Sequence, residues 1–175
     1  MPSMKYAVVE RERRFLPDPA VDLSAASRVM QIEDRYVAGT RLRLRTVREP
    51  GKDPVRKLGQ KVRSAPGKSS ALAHTTMYLD EVEYTLLSGI SAVTLSKTRH
   101  VMPLVDGLDV AVDVFHGRLS GLTMAEFDLG WDGSLSQPIP TWLGVEVTDV
   151  EEFTGYALAC LDANAFASLL ATYSR

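Results

Sequence analysis

From Arg41 to Val47 the chain reads Arg-Leu-Arg-Leu-Arg-Thr-Val, with charged and apolar residues in strict alternation as far as Arg45. Successive side chains of a β-strand point to opposite faces. The segment therefore satisfies its own pattern only as a strand, with Leu42 and Leu44 on one side and Arg41, Arg43 and Arg45 on the other. Like charges facing each other on neighbouring strands repel, so a row of arginines beside other basic rows demands anions along it. That demand limits the fold more than any other feature of the sequence.

The alternation recurs along the chain. Lys5 to Phe15 begins with the strand formers Tyr6, Val8 and Val9 and runs into Glu-Arg-Glu-Arg-Arg, which places Glu10, Glu12 and Arg14 on one face. Arg11 and Arg13 fall on the other face, where solvent is the expected surrounding, and Pro17 and Pro19 end the strand. In "VRKLGQKVRS", Lys57, Lys61 and Arg63 oppose Leu58 and Val62. "AHTTMYL" reads as a further strand, and "AVTLSKTRHVMPL" carries Lys97 and Arg99 on one face. "VDGLDVAVDVF" pairs with it through an Asp-Gly turn, and "LTMAEFDLG" sets Met124, Glu126 and Asp128 against Ala125, Phe127 and Leu129. "REPGKDP" and "APGKSS" are loops by their Pro and Gly content.

Helical signals are few. "DLSAASRVM" predicts a short helix, and "EVEYTLLSGI" one opened by a capping box of Asp80 with Glu83 and closed at Gly89. The C-terminal "GYALACLDANAFASLLATY" predicts a helix with a break near Asp162, capped by Thr148 with Glu151 or by Asp149 with Glu152. About seven or eight short strands joined mostly by turns predict a mainly β (α+β) chain, an antiparallel barrel or sandwich.

Charge adds a second constraint. The net charge of −2 hides ten Lys or Arg against two acids between Arg41 and Lys68, and ten acids against one Arg between Asp106 and Glu152. A nucleic-acid surface would be basic without such an acidic counterweight, so nucleic acid is disfavoured as a partner. If the two blocks converge, they form a site for anions and cations together, and a metal–polyanion complex is such a ligand. No apolar run approaches the ~18 residues of a spanning helix, so no membrane partner is expected. A single cysteine, Cys160, excludes an internal disulfide framework and a multi-thiolate zinc site, and fits a cytoplasmic location. The 175 residues suffice for one domain, 1–175.

Taken in order, Glu10-x-Glu12-x-Arg14, Arg41-x-Arg43, "KLGQK" with Lys61, "KTRH", "VDVF", "GRLSGLTMAEFDL" and "PTWLGVEVT" resemble the CYTH superfamily, the triphosphate tunnel metalloenzymes, from about residue 5 to 160. The resemblance implies an eight-stranded antiparallel β-barrel, a tunnel, with a few short helices and a C-terminal helix. It implies that Glu10, Glu12, Glu126, Asp128 and Glu146 hold Mg²⁺ or Mn²⁺, with Glu10, Glu12 and Glu126 catalytic. Arg14, Arg41, Arg43, Lys61, Lys97 and Arg99 would bind phosphate. The family's activities are triphosphatases on inorganic triphosphate, thiamine triphosphate and RNA, and a class of adenylyl cyclase.

The sequence departs from the family pattern in three places. Arg14 stands for the usual Lys, and Asp128 for a Glu. On the fourth strand Leu72, His74 and Thr76 replace the usual Arg-x-Glu-x-Glu, while Glu81 and Glu83 fit a helix start better. The expected function is metal-dependent hydrolysis of an inorganic or small organic triphosphate. The alternatives are a non-catalytic polyphosphate or nucleotide-binding protein, for which the missing acids argue, and an adenylyl cyclase. Trp142 reads as a packing residue, with stacking or anchoring as the alternative.

Overall fold

The computed structural model describes residues 6–63, 72–104, 108–129 and 139–173. The "APGKSS" loop, the Asp106-Gly107 turn and the side chain of Arg63 lie outside the described residues. Ten strands form one antiparallel sheet: β1 (Val8–Glu10), β2 (Glu12–Leu16), β3 (Arg28–Val37), β4 (Leu42–Arg48), β5 (Val55–Arg63), β6 (Leu72–Leu79), β7 (Ala92–Pro103), β8 (Asp109–Phe115), β9 (Thr123–Asp128) and β10 (Val145–Glu146). Their order is β1-β6-β5-β4-β3-β7-β8-β9-β2-β10.

This is a curled ten-stranded half-barrel, and the expected closed eight-stranded barrel is corrected. The reason lies at Arg11, where the first strand breaks and changes partner. Val8 to Glu10 pair with β6, whereas Glu12 to Phe15 pair with β9. Between them the Arg11 backbone N–H donates to the Asp128 carboxylate (2.9 Å) and its carbonyl accepts from Leu129 N–H (2.9 Å). The two borders of the sheet are thus joined by covalent chain rather than by a continuous ladder.

Register decides which faces turn inward. Asp34 lies opposite Arg45 and Tyr36 opposite Arg43, so the arginines of β4 share a face with the acid of β3. Arg99 lies opposite Asp113, and Arg14 opposite Glu126. The outer face of β2, β8 and β9 carries Phe15, Val110, Val112, Ala125 and Phe127, a buried cluster against which Leu23 and Trp142 pack. A second cluster joins Leu95, Phe115, Leu119, Leu122 and Met124 to Phe153, Leu158 and Phe166 of the C-terminal segment.

Helices are sparse, as expected. α1 (Glu81–Ser88) opens with the Asp80–Glu83 capping box, both hydrogen bonds present, and meets Gly89 at its end. α2 (Gly155–Cys160) and α3 (Ala163–Tyr173) are separated at Asp162, whose carboxylate accepts from Ala165 N–H. Thr154, rather than Thr148 or Asp149, caps α2. The helix expected in "DLSAASRVM" shrinks to a 3₁₀ turn, Leu23–Ala25, capped by Asp22. Arg28 onward is already β3, since pairing with β7 starts at Arg28 opposite Val101. No helix among the described residues is long and apolar enough to cross a membrane.

Candidate functional site

The concave face of the sheet encloses a cavity of about 900 Å³. Among the described residues, seven Lys and Arg and seven Asp and Glu line it. The basic and acidic thirds of the sequence therefore meet across one space. Ten of the eleven expected site residues border it: Glu10, Glu12, Glu126, Asp128, Arg14, Arg41, Arg43, Lys61, Lys97 and Arg99.

Glu146 does not reach the cavity. β10 pairs with β2 so that Glu146 lies opposite Phe15, on the outer face. There Arg13 donates to both of its carboxylate oxygens (3.0 and 2.5 Å), and Thr148 Oγ1 donates to it at 2.6 Å. The bond from Arg13 holds the Glu146 carboxyl below the usual range. Arg13 is itself buried, its guanidinium 5.2 Å from the Phe15 ring and 5.9 Å from that of Phe127. The solvated surrounding expected for Arg13 is thus corrected as well. β2 is covered on both sides, and alternation reports parity but not cover.

On the concave side of the sheet the charges are arranged in clamps. Lys61 Nζ lies 2.8 Å from Glu10 and 2.5 Å from Glu12. His74, opposite Lys61 in the β5–β6 register, places Nδ1 on the other Glu10 oxygen and Nε2 3.1 Å from Thr76 Oγ1. Burial alone would raise the Glu10 carboxyl, but the His74 hydrogen bond and the Lys61 charge override it and hold Glu10 at about 2. Glu12 moves the other way: burial outweighs its share of Lys61, and the Glu126 and Glu10 charges add to the rise. One ammonium between two carboxylates leaves one of them short of counter-charge.

A second clamp is built on Asp113, 2% exposed. It accepts from Lys97 Nζ (2.5 Å) and from Arg99 Nε and Nη2 (2.8 and 2.7 Å), and Arg99 reaches on to Glu126. Burial would raise Glu126, yet Arg99, Lys97 and Lys61 hold it well below its ordinary value. Burial lowers the Lys97 ammonium despite Asp113 beside it. The third clamp is Asp34, 1% exposed, which accepts from Arg45 Nε and Nη2 (2.7 and 2.8 Å) with Arg43 Nε at 3.5 Å.

Arg14 is fixed by backbone carbonyls, donating to Phe153 O (2.9 Å) and Thr148 O (2.7 Å). Arg41 precedes β4 and is exposed. Asp34, Asp113 and His74 were not among the expected site residues. Asp34 and Asp113 do show a signal, since each sits at an inward position of its strand between apolar neighbours two residues away (Ile32 and Tyr36, Ala111 and Phe115). His74 stands where the family's acidic strand would be.

No protein family's sequence model matches the chain, and no curated protein matches it. Solved structures do. The inorganic triphosphatase NE1496 superimposes with a TM-score of 0.58 at 24% identity, over 87% of this chain and 95% of that one. A second structure of NE1496, described as a hypothetical protein, gives 0.58 at 23% over 87% and 98%. PH1819 of Pyrococcus horikoshii OT3 gives 0.51 at 18%, over 68% and 76%. At these identities the likeness is one of fold.

Proposed function

We propose that this chain, whose fold is that of the CYTH-type triphosphate tunnel proteins, binds a small triphosphate together with Mg²⁺ or Mn²⁺ and hydrolyses it. The observation that carries the reading is the balanced wall: among the described residues, seven cationic and seven acidic side chains around one cavity. A bare triphosphate would add several negative charges to a wall already in balance. With divalent ions it enters nearly neutral, its oxygens meeting the cations while the ions meet the carboxylates. The fold neighbour NE1496, described as an inorganic triphosphatase, supports the same choice.

The donor set fits an ion that arrives with its substrate. Among the described residues no three His, Cys, Asp or Glu gather into a cage. Mg²⁺ commonly takes only one or two carboxylates and completes its shell with waters and phosphate oxygens. Glu10, Glu12, Glu126 and Asp128 are the oxygen donors that would hold it, and the raised Glu12 marks where cationic charge is wanted. Bound there, the ion would polarise a phosphoryl oxygen and make an attacking water more acidic.

The chain's own residues do the rest. Arg41 has no carboxylate partner among the described residues, and Arg43, 3.5 Å from Asp34, makes no hydrogen bond through Nε. They receive phosphate first. Lys61, Lys97 and Arg99 neutralise charge that builds on the phosphoryl oxygens, the main demand that phosphoryl transfer makes of a protein. Glu10, Glu12 and Glu126, the carboxylates that would hold the ion, would also orient the attacking water. Leu95, Phe115, Met124, Phe153 and Leu158 give the cavity an apolar wall that limits water.

The test is incubation of the purified chain with tripolyphosphate, thiamine triphosphate and ATP, under Mg²⁺, Mn²⁺ or chelator, with phosphate, pyrophosphate and cyclic AMP measured. Phosphate release that needs the metal and is lost in Glu126→Gln is the expected result. No turnover of any triphosphate with either metal overturns it. A second reading, binding without turnover, has one observation in its favour: Glu10 is held by His74 where the family pattern places further acids. Tight tripolyphosphate binding without phosphate release would establish it.

A further inference from the structure

Between β3, β7, α1 and the 3₁₀ turn Gly117–Leu119, beside the cavity and sharing Leu95 with it, lies a groove of about 550 Å³ whose arginines the cavity chemistry does not use. Two guanidiniums border it. Arg35 lies opposite Thr94 in the β3–β7 register, and Arg118 donates to the Thr94 carbonyl (2.9 Å), so the two residues flank the same stretch of β7. Neither has a carboxylate within ion-pair distance among the described residues, in contrast to most of the cations inside the cavity. Glu33, the acid on this face, is drawn off to Arg48 at 3.0 Å. Asp34 borders the groove but is engaged by Arg45.

Both arginines have a structural duty. Arg35 donates to Ser88 O (2.7 Å) at the end of α1, and Arg118 to Ala159 O (2.5 Å) in α2. That duty uses Nη2 alone in each and leaves the other donors of the fork free. Arg35 Nε is buried with no acceptor, a state that carries a desolvation cost unless something supplies one. Ser96 and His116 add a hydroxyl and an imidazole to the same groove, with His116 Nε2 2.7 Å from Thr98 Oγ1.

Two unneutralised planar forks with hydroxyl and imidazole groups suit a tetrahedral anion with several acceptor oxygens better than a single carboxylate. We infer that this groove is an anion site distinct from the cavity, and that it takes a phosphate group, free or carried on a small phosphomonoester.

The experiment is a titration of the ¹⁵N-labelled full chain with inorganic phosphate, and separately with glycerol phosphate, followed by amide shifts. Sodium chloride at matched ionic strength is the control. The amides of Thr94, Ser96, Gly117 and Arg118 should move along a saturable curve that chloride does not reproduce. Arg118→Gln, at an exposed position, should weaken that curve about tenfold, as expected for loss of a charge-assisted bond. Arg35→Lys, which keeps charge but loses the fork, should weaken it too. Saturation by the phosphomonoester alone would identify an organic phosphate as the ligand. Shifts confined to cavity amides, an equal response to chloride, or curves unchanged in both variants would overturn the inference.

Discussion

Lys61 Nζ lies 2.5 Å from Glu12 Oε1, an internal ammonium placed among the carboxylates that would otherwise hold a cation. The same nitrogen is 2.8 Å from Glu10. Lys61 therefore serves the acids in the free protein and, on the proposed function, would serve phosphate in the loaded one. The wall would then exchange partners when ligand enters.

Lys61→Met should expose that dual role. Removing one partner of a partly buried pair leaves carboxylates uncompensated, with a loss of about 1–3 kcal/mol, below the figure for fully buried pairs. Urea denaturation measures it. Mn²⁺ should then raise the melting temperature more in the variant than in the parent, because a metal that binds only the folded state stabilises it by mass action. Equal shifts would show that Glu10 and Glu12 do not compete for cations.

Metal and triphosphate should bind cooperatively. Triphosphate alone would draw Lys61 and Arg99 from Glu10, Glu12 and Glu126, leaving acids unpaired, and metal alone would do the reverse to the bases. Calorimetry should show tripolyphosphate binding tightened about tenfold or more by Mg²⁺, with the reciprocal effect on Mg²⁺ that linkage requires. Independent binding of the two would contradict the exchange.

Acid should unfold the protein through this site. Glu10 is held at about 2 against an ordinary 4.5. A carboxyl depressed in the folded state contributes stability above its unfolded value, and that contribution is lost as pH falls toward the folded one. Stability should therefore drop between about pH 4.5 and 2, with Asp34 and Glu126, also depressed, adding to the same limb. Glu12 runs oppositely: its raised value favours the folded state while protonated, and that gain fades as pH rises through it. His74→Leu removes the strongest force lowering Glu10 and should move the acid midpoint, read by circular dichroism, to higher pH.

Glu146 and Glu126 should separate cleanly. Glu146→Gln weakens a clamp on Arg13 outside the cavity, so it should cost stability while leaving Mn²⁺ affinity unchanged. Glu126→Gln should lower that affinity. A matched loss in both would return Glu146 to the metal set.

Much of the wall was legible in advance because strand alternation fixes parity. Arg43 with Arg45, Glu10 with Glu12, and Glu126 with Asp128 all face the cavity as their spacing implies. Alternation does not say which strands become neighbours, so the partner change at Arg11 was hidden. Nor does it say which face is covered. Arg13 looks like a surface charge until Phe15 and Phe127 are packed beside it, and Glu146, expected among the metal ligands, is its partner there. The clamps escaped for a related reason: a lone Asp in an apolar strand becomes informative only when register sets Asp34 opposite Arg45 and Asp113 opposite Arg99.

Asp34 supplies the sharpest test of the clamps. It is 1% exposed and accepts two hydrogen bonds from Arg45, with Arg43 at 3.5 Å. Arg45 and Arg43 hold its carboxyl well below the usual range against the pull of burial. Asp34→Asn keeps the shape but removes the charge, leaving Arg45 buried without its counter-ion, at a cost of about 3–5 kcal/mol. Urea denaturation should show that loss. Tripolyphosphate offers the freed guanidinium a replacement anion, so the ligand should recover more stability in the variant than in the parent. Its turnover should suffer mainly in KM, because Arg43 and Arg45 lose their common anchor while Glu12 and Glu126 keep theirs. A stability loss below about 1 kcal/mol, the usual worth of an exposed pair, would mean that Arg45 finds other partners and that Asp34 does not set the cationic wall.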